Sequence, residues 1–320
     1  MKAAVYYETG SPDVLRYEDV PDPVVHPKGV IVEVAAISIE GGDTLNRLGG
    51  VMPAVPHIVG YQCAGTIVEV GEAVTDRQVG QQVVVSVPHG SHAELVAAPV
   101  SSTWLLPDGM DLVDAACVPI AFGTADDCLF EFGRLQAGES VLVQAGAGGV
   151  GLAAIQLAAR AGATVLATAS SAERLERLAE YGLDHGIDYV AEDMVEAVRR
   201  LTDGRGVDLV VDSVGSTLFD SVRSLAYRGR VSYVGNAGRD DRPFDAGLLM
   251  AQNQSITGVF LGAELAHGPR AHDNIARLLR EVAAGEVRVV VDSTFPLAEA
   301  AAAHAHIESR QAFGRVVLVP

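Results

Sequence analysis

Cysteine, positive charge and long uninterrupted hydrophobic runs are all scarce in this sequence of 320 residues. The three cysteines, Cys63, Cys117 and Cys128, are odd in number and lack metal-site spacing, so we expect small core residues and no disulfide framework. Lysine and arginine total 23 against 41 acidic residues, and the net charge of −18 repels phosphate backbones and anionic membranes. We therefore predict no nucleic-acid partner and no membrane partner.

The most apolar stretch, residues 141–169, contains four glycines of a turn and also Arg160. This pattern is typical of a buried strand, turn and helix and does not indicate a membrane span. The N-terminal segment becomes polar within seven residues, unlike a signal peptide. Together these features predict a cytoplasmic protein.

Two patterns divide the rest of the chain. Residues 1–100 hold short β-branched runs separated by Gly, Pro and Asp, as in a β-barrel or sandwich domain. From residue 140, strands alternate with helices, and one of these helices is predicted over residues 218–229. This alternation predicts an α/β protein with a doubly wound parallel sheet. Four of the helices are predicted to end at a glycine cap: Gly162, Gly182, Gly204 and Gly229.

A G-x-G-x-x-G motif, formed by Gly146, Gly148 and Gly151, follows a predicted strand and opens a predicted helix. Glycines there let the backbone approach a pyrophosphate, and the helix N-terminus offers it free N–H groups. The motif alone is weak, but the complete strand–helix–strand context predicts a dinucleotide site.

The second strand of this unit ends at Ser170 and Ser171, without the carboxylate that binds an unphosphorylated ribose. Arg174 follows one turn into the next helix, and hydroxyls with a guanidinium suit a 2′-phosphate. The predicted cofactor is therefore NADPH, although Glu173 weakens the argument slightly.

These residues belong to a longer resemblance. The segments "ETGSPDVLRYEDVPDP", "DTLNRLGG", "PHIVGYQCAGTIVEVGEAV", "AGAGGVGLAAIQLAARAGA" and "PLAEAAAAHAHIESRQAFGRVVLV" are similar to the zinc-independent quinone oxidoreductases (zeta-crystallin-like) of the medium-chain dehydrogenase/reductase superfamily. The resemblance implies a GroES-like β-barrel catalytic domain over residues 1–120, completed by 262–320, and a Rossmann NADPH-binding domain over 121–261. It also implies a homodimer, with the strand around residues 256–260 at the dimer edge.

The resemblance implies a set of cofactor-binding residues in this numbering. Thr124 is expected near the nicotinamide, and Tyr189 beside the 2′-phosphate. The full predicted set is Thr124, Gly146, Gly148, Gly149, Val150, Gly151, Ser170, Ser171, Arg174, Tyr189, Asn236, Phe260 and Gly314.

The positions that hold zinc ligands in zinc-dependent relatives are occupied here by Glu40, Tyr61 and Gln62. A phenol and an amide are poor zinc ligands, and three scattered cysteines cannot form a structural zinc lobe. The prediction is therefore no metal. The histidines offer no replacement, and we expect them to face solvent or to make local hydrogen bonds: His57, His89, His92, His304 and His306.

Tyr61 and Glu40 are the candidate catalytic residues. The Tyr61 phenol can position or protonate a substrate, or simply pack at a domain seam. Glu40 replaces an Asn usual in the family, and it can relay protons if burial raises its pKa, or form an ion pair with Arg47. Asp126 and Asp127 stand where the family often has a Tyr, so the substrate stays open.

Without zinc, the acceptor must delocalise its own negative charge, as quinones and activated alkenes do. The sequence therefore predicts an NADPH-dependent quinone oxidoreductase. The alternatives are an enone or enoyl thioester reductase of the same fold and a non-catalytic NADPH-binding protein.

Overall fold

The computed structural model describes residues 1–239 and 242–320. Its strands are β1 (Lys2–Tyr6), β2 (Arg16–Asp19), β3 (Gly29–Ser38), β4 (His57–Ile58), β5 (Gln62–Val70), β6 (Gln82–Ser86), β7 (Leu95–Pro99), β8 (Thr103–Leu105), β9 (Ser140–Val143), β10 (Thr164–Ala169), β11 (His185–Asp188), β12 (Val207–Asp212), β13 (Leu225–Tyr233), β14 (Ser255–Gly258), β15 (Val291–Pro296) and β16 (Arg315–Val319). Its α-helices are α1 (Gly41–Gly49), α2 (Leu112–Ala116), α3 (Val118–Asp126), α4 (Gly149–Arg160), α5 (Ala172–Ala179), α6 (Met194–Leu201), α7 (Leu218–Arg223), α8 (Leu261–His267), α9 (Pro269–Ala283) and α10 (Ala300–Glu308). Short 3₁₀ segments lie at Pro12–Val14, Val100–Ser102, Ala246–Gln252 and Leu297–Glu299, and a π-helical turn at Asp127–Glu131.

Two compact units divide the chain: a terminal unit of residues 1–120 and 275–320, and a central unit of residues 121–274. The second boundary between the two units therefore lies within α9, whereas the sequence predicted it between residues 261 and 262. Residues 262–274 belong with the central unit because Asn274 donates to Asp126 (2.9 Å) and Arg270 pairs with Asp127 (2.6 Å). The assignment of a catalytic and a cofactor role to the two parts of the chain stays a prediction.

The terminal unit is built on a seven-stranded sheet with the order β15-β16-β3-β5-β6-β8, where β7 also pairs with β3. A second sheet has the order β2-β1-β4. Strand β3 is buried along nearly its whole length, as its apolar run predicts. The C-terminal strand β16 pairs with β3 in antiparallel register, with Val317 opposite Ser38. This return of the chain end places Arg315 beside the end of β3.

The central unit contains a six-stranded sheet with the order β11-β10-β9-β12-β13-β14, in which every pairing is parallel. That is the strand order of a doubly wound dinucleotide fold. The central strands β9, β10 and β12 are near-continuous apolar runs, since parallel strands are covered on both faces. The predicted α/β class and doubly wound parallel sheet are confirmed.

The helix predicted over residues 218–229 is wrong in its second half. Helix α7 ends at Arg223, and Leu225 already pairs with Val207 as the first residue of β13. The register then shifts, because a bulge with Arg228 at φ 61° separates Leu225 from Arg230. Gly229 therefore lies within a strand and caps no helix, whereas Gly162, Gly182 and Gly204 have the positive φ of a helix end.

No α-helix in the described residues, 1–239 and 242–320, is long and apolar enough to span a bilayer. All three cysteines are buried and unpaired, which confirms their predicted place in the core.

Candidate cofactor and active sites

The glycine-rich motif forms a tight turn between β9 and α4. A side chain at Gly151 would overlap the carbonyl oxygen of Ala145 and come within 2.8 Å of the Gly146 Cα atom. A side chain at Gly148 would meet only the Ala145 oxygen, at 3.3 Å, so the space in front of the α4 N-terminus is open. The motif therefore forms a cradle of bare backbone at a helix N-terminus, and a pyrophosphate fits that cradle. Gly149, Val150 and Gly151 form the first turn of α4.

A network of side-chain hydrogen bonds, which the sequence did not predict, supports this turn. Thr168 Oγ1 donates to Gln144 Oε1 (2.9 Å) and accepts from the backbone N–H of Ala145 (3.1 Å). Gln144 Nε2 donates to Ser221 Oγ (3.0 Å), and that hydroxyl donates to Asp212 Oδ2 (2.7 Å). The chain of hydrogen bonds thus joins the carboxyl ends of β9, β10 and β12. Of this network, only the "DSVG" turn after β12 can be recognised from the local sequence. There Asp212 accepts from the backbone N–H groups of Val214 and Gly215, as aspartate often does in turns.

The predicted 2′-phosphate residues gather at the end of β10. Ser170 is exposed, and Ser171 caps α5, its hydroxyl accepting from the Arg174 backbone N–H at 3.3 Å. Strand β11 runs alongside, and the backbone N–H of Tyr189 donates to the Ala169 oxygen (3.2 Å). The structure therefore brings Ser170, Ser171, Arg174 and Tyr189 to one edge of the parallel sheet.

The remaining predicted cofactor residues are more dispersed. Asn236 follows β13 and lies against Gly215, where a side chain would come within 2.7 Å of its Oδ1. Phe260 follows β14 and is 74% exposed, while Thr124 is buried in α3. Gly314, at φ 105°, precedes β16 in the terminal unit. The cofactor-binding roles of Thr124 and Gly314 stay predictions.

Glu40 lies at the centre of a buried polar cluster in the terminal unit. Its Oε1 accepts from the guanidinium of Arg315 and from Nε2 of Gln62. Gln62 Oε1 in turn accepts from the backbone N–H of Ile120 (3.0 Å). Burial raises the pKa of the Glu40 carboxyl, and the facing Arg315 charge opposes that rise. Of the positions that hold zinc ligands in zinc-dependent relatives, Glu40 therefore binds a guanidinium and Gln62 binds Glu40.

The alternative ion pair between Glu40 and Arg47 is wrong. Arg47 is fully buried and pairs with Glu308 of α10, whereas Glu40 pairs with Arg315 of β16. Arg315 is further held by Ser38 Oγ, 2.6 Å from Nη2, and by the Ile39 carbonyl oxygen at 2.8 Å. A proton-relay role for Glu40 stays a prediction.

Tyr61 follows Gly60 at φ 112° and lies against the first turn of α1. Its Oη accepts from Asn46 Nδ2 at 2.6 Å. Burial, aided by the negative charge of Asp43, raises the pKa of Tyr61 to about 12. The Asp43 pKa is itself raised well above its usual value by burial, while its Oδ2 accepts from the Glu40 N–H (2.8 Å). The phenol is therefore protonated at neutral pH.

The two aspartates noted in the sequence anchor a helix junction. Asp127 is nearly fully buried and pairs with Arg270, which also reaches Glu264 at 2.6 Å. Asp126 accepts from Asn274 Nδ2. Both carboxylates therefore hold the N-terminal half of α9.

The expectation that the histidines face solvent or bond locally is wrong for three of them. His57 is only 4% exposed, and its ring packs against Tyr6 and His89. His92 and His304 are both fully buried, and their Nε2 atoms are 3.1 Å apart although 212 residues separate them in the sequence. Burial lowers the pKa of His92 to about 3 and the pKa of His304 well below its usual value. Among the residues that the structure describes, no group of three or more His, Cys, Asp and Glu side chains is arranged to hold a metal ion.

Comparison with known proteins gives matches along nearly the whole chain. Residues 26–108 match the alcohol dehydrogenase GroES-like domain, and residues 149–283 match the zinc-binding dehydrogenase family. The chain is 34% identical to a 2-haloacrylate reductase of Burkholderia sp., over 99% of this chain and 98% of that one. It is 33% identical to a quinone oxidoreductase of Pseudomonas aeruginosa, over 97% of each. The solved structure of Escherichia coli quinone oxidoreductase complexed with NADPH superimposes with a TM-score of 0.95 at 28% identity, covering 100% of both chains.

Proposed function

The chain belongs to the quinone oxidoreductase branch of the medium-chain dehydrogenase/reductase superfamily, and on that premise we propose that it reduces quinones by hydride transfer from NADPH without zinc. One observation carries the choice of acceptor. At positions where relatives hold zinc, Glu40 binds Arg315 and Gln62 binds Glu40, so the two side chains form no set of metal ligands. An acceptor at this site must therefore spread its own negative charge, as a quinone does.

NADPH, when bound, supplies the hydride. The first turn of α4 would bind its pyrophosphate through backbone N–H groups, and the open space at Gly148 leaves room for it. Ser170, Ser171 and Arg174 would bind the 2′-phosphate at the end of β10. The protonated Tyr61 phenol would donate a hydrogen bond to the acceptor.

The test is an assay of NADPH oxidation with ortho- and para-quinones, run in parallel with NADH. Turnover of at least one quinone class, with preference for NADPH, is the expected result. If no quinone is turned over while NADPH still binds, the proposal is refuted.

Specificity for the phosphorylated cofactor has its own test. Arg174→Ala should weaken NADPH binding about 10- to 100-fold, since a hydrogen bond to a charged group is worth about 1.5–3 kcal/mol. NADH binding should change little. Arg177→Ala, exposed and three residues further along α5, is the matched control. Equal losses of NADPH and NADH affinity would show that the 2′-phosphate binds elsewhere.

A second candidate function is reduction of an activated carbon–carbon double bond. The 34% identity to a 2-haloacrylate reductase over nearly both full lengths favours it. Enones, enoyl thioesters and 2-haloacrylates belong in the same assay, and turnover of these acceptors with quinones inert would select this function.

We further propose a cytoplasmic homodimer. Strand β14 is the last strand in the order of the parallel sheet, and Phe260 beside it is mostly exposed, so a second copy has an edge to pair with. Three buried thiols and no disulfide suit a reducing compartment. Sedimentation of the purified protein tests the dimer.

A further inference from the structure

Tyr61 is held by α1 in two ways. Its ring lies so close to Gly42 that a Cβ there would come within 2.6 Å of Tyr61 Cε2 and 2.8 Å of Oη. Four residues further along the helix, Asn46 Nδ2 donates to the same Oη at 2.6 Å. Because residues i and i+4 share one face of a helix, a single face both seats the ring and holds its hydroxyl.

The direction of the Asn46 hydrogen bond decides what the phenol can do next. A phenolic oxygen carries one hydrogen and accepts through its lone pairs. Because the Asn46 amide N–H donates to a lone pair of Tyr61 Oη, the phenolic hydrogen of Tyr61 points to another group. Among the residues that the structure describes, Tyr61 Oη accepts from Asn46 and donates to no protein group.

We propose that Asn46 is a positioning residue that keeps the phenolic hydrogen of Tyr61 directed at the oxygen of the acceptor that gains negative charge. This inference rests on the proposed function and adds to it a positioning role for Asn46. As hydride and its electron pair enter the acceptor, one oxygen becomes anionic and Tyr61 hydrogen-bonds to it. The proton that completes the product comes from water, so NADPH, one proton and a quinone give NADP⁺ and a hydroquinone.

The phenol acts as a hydrogen-bond donor and keeps its proton. With a pKa of about 12, about one Tyr61 in 10⁵ is ionised at pH 7. A preorganised donor of this kind contributes about 10²-fold or more to kcat when it faces developing charge.

Asn46→Asp tests the direction of the bond. The substitution keeps the shape but replaces the N–H donor by a carboxylate, which accepts the phenolic hydrogen and turns it away from the acceptor. We expect kcat to fall about 10²-fold, to the level of Tyr61→Phe, with the KM for NADPH unchanged. Leu48→Asp adds a carboxylate at an exposed position of α1 and is the control for charge.

The double variant Asn46→Asp/Tyr61→Phe should be no slower than Tyr61→Phe alone, because Asn46 acts only through Tyr61. Wild-type kcat in Asn46→Asp, or losses that multiply in the double variant, would overturn the proposal. Asn46→Ala, which introduces no competing acceptor, should lose about 10-fold.

An alkaline titration of tyrosinate absorbance separates this inference from the proposed function. The signal assigned by difference from Tyr61→Phe should titrate at higher pH in Asn46→Asp, since the lost donor had lowered the pKa. This shift does not depend on turnover, so it tests the pairing even if no quinone is reduced. An unshifted midpoint would overturn the Asn46 role, whereas a shift with an inactive wild type would refute only the quinone activity.

Discussion

The buried histidine pair makes the terminal unit sensitive to acid. His92 and His304 face each other with Nε2 atoms 3.1 Å apart, and Ser91 Oγ lies 3.4 Å from the other nitrogen of His92. The charged neighbour is Arg47 of α1, which adds a positive charge near His304 and itself pairs with Glu308. Protonating either ring would therefore bury a second cation, so both rings stay neutral in the folded state.

The sign and size of the effect follow from the pKa values. The pKa of His92 is about 3 when folded and 6.5 when unfolded, so below pH 6.5 the unfolded chain binds the extra proton. Stability is present above pH 6.5 and is lost as pH falls toward 3. Between pH 7 and pH 5 the loss from His92 is about 2 kcal/mol, at 1.36 kcal/mol per pH unit once the unfolded form is charged. His304 shifts in the same direction and adds to it.

Equilibrium urea unfolding at pH 7 and pH 5 measures this loss. His92→Gln keeps a polar group without a titrating proton, so its stability should fall about 2 kcal/mol less between the two pH values than that of the wild type. His304→Gln should behave alike, and the double variant should be flatter still. His26→Gln, at an exposed position, is the control. An unchanged pH 7-to-5 difference in both single variants would refute the reasoning.

Two further predictions each compare alanine substitutions at two nearby glycines. Gly42→Ala should displace the Tyr61 ring, which a Cβ would approach to 2.6 Å, and lower kcat with quinones about 10-fold; Gly41→Ala, where a Cβ meets nothing within 4 Å, should leave kcat unchanged. Equal activity of the two variants would contradict the placement of Tyr61. Gly148→Ala should keep the melting temperature but weaken NADPH binding at least about 10-fold, because its methyl group enters the open cradle. Gly151→Ala should instead lower stability by about 1–3 kcal/mol, since its methyl group overlaps the turn, and unfolding curves of equal midpoint would argue against this geometry.

Local sequence patterns predict most of the fold. The apolar strands and the glycine turn before α4 were readable because a parallel sheet and a phosphate cradle both depend on short-range geometry. The predicted helix over residues 218–229 is wrong beyond Arg223 for the opposite reason. Its pattern was helical, but pairing of Leu225 with Val207 across the sheet overrode that local preference.

The candidate active site was only partly readable. Glu40, Tyr61 and Gln62 stood out because they replace expected metal ligands, yet their partners did not. Arg315 lies 275 residues from Glu40 in the sequence, and no local signal links the two. No sequence pattern marks Asn46 as a functional residue. Only the packing of α1 against Tyr61 shows that Asn46 binds the phenol.

The sequence by itself determined the fold class, the dinucleotide motif and the residue types at the positions equivalent to the zinc ligands, because each depends on spacing along a few dozen residues. Only the tertiary structure decided which charge faces Glu40, that His92 and His304 share one buried contact, and where Tyr61 finds its partner. The physical reason is the closing of the terminal unit by the end of the chain. Strand β16 and helix α10 return to the first hundred residues and bury Arg315 and His304 there, where low polarity makes each polar group take whichever partner folding supplies.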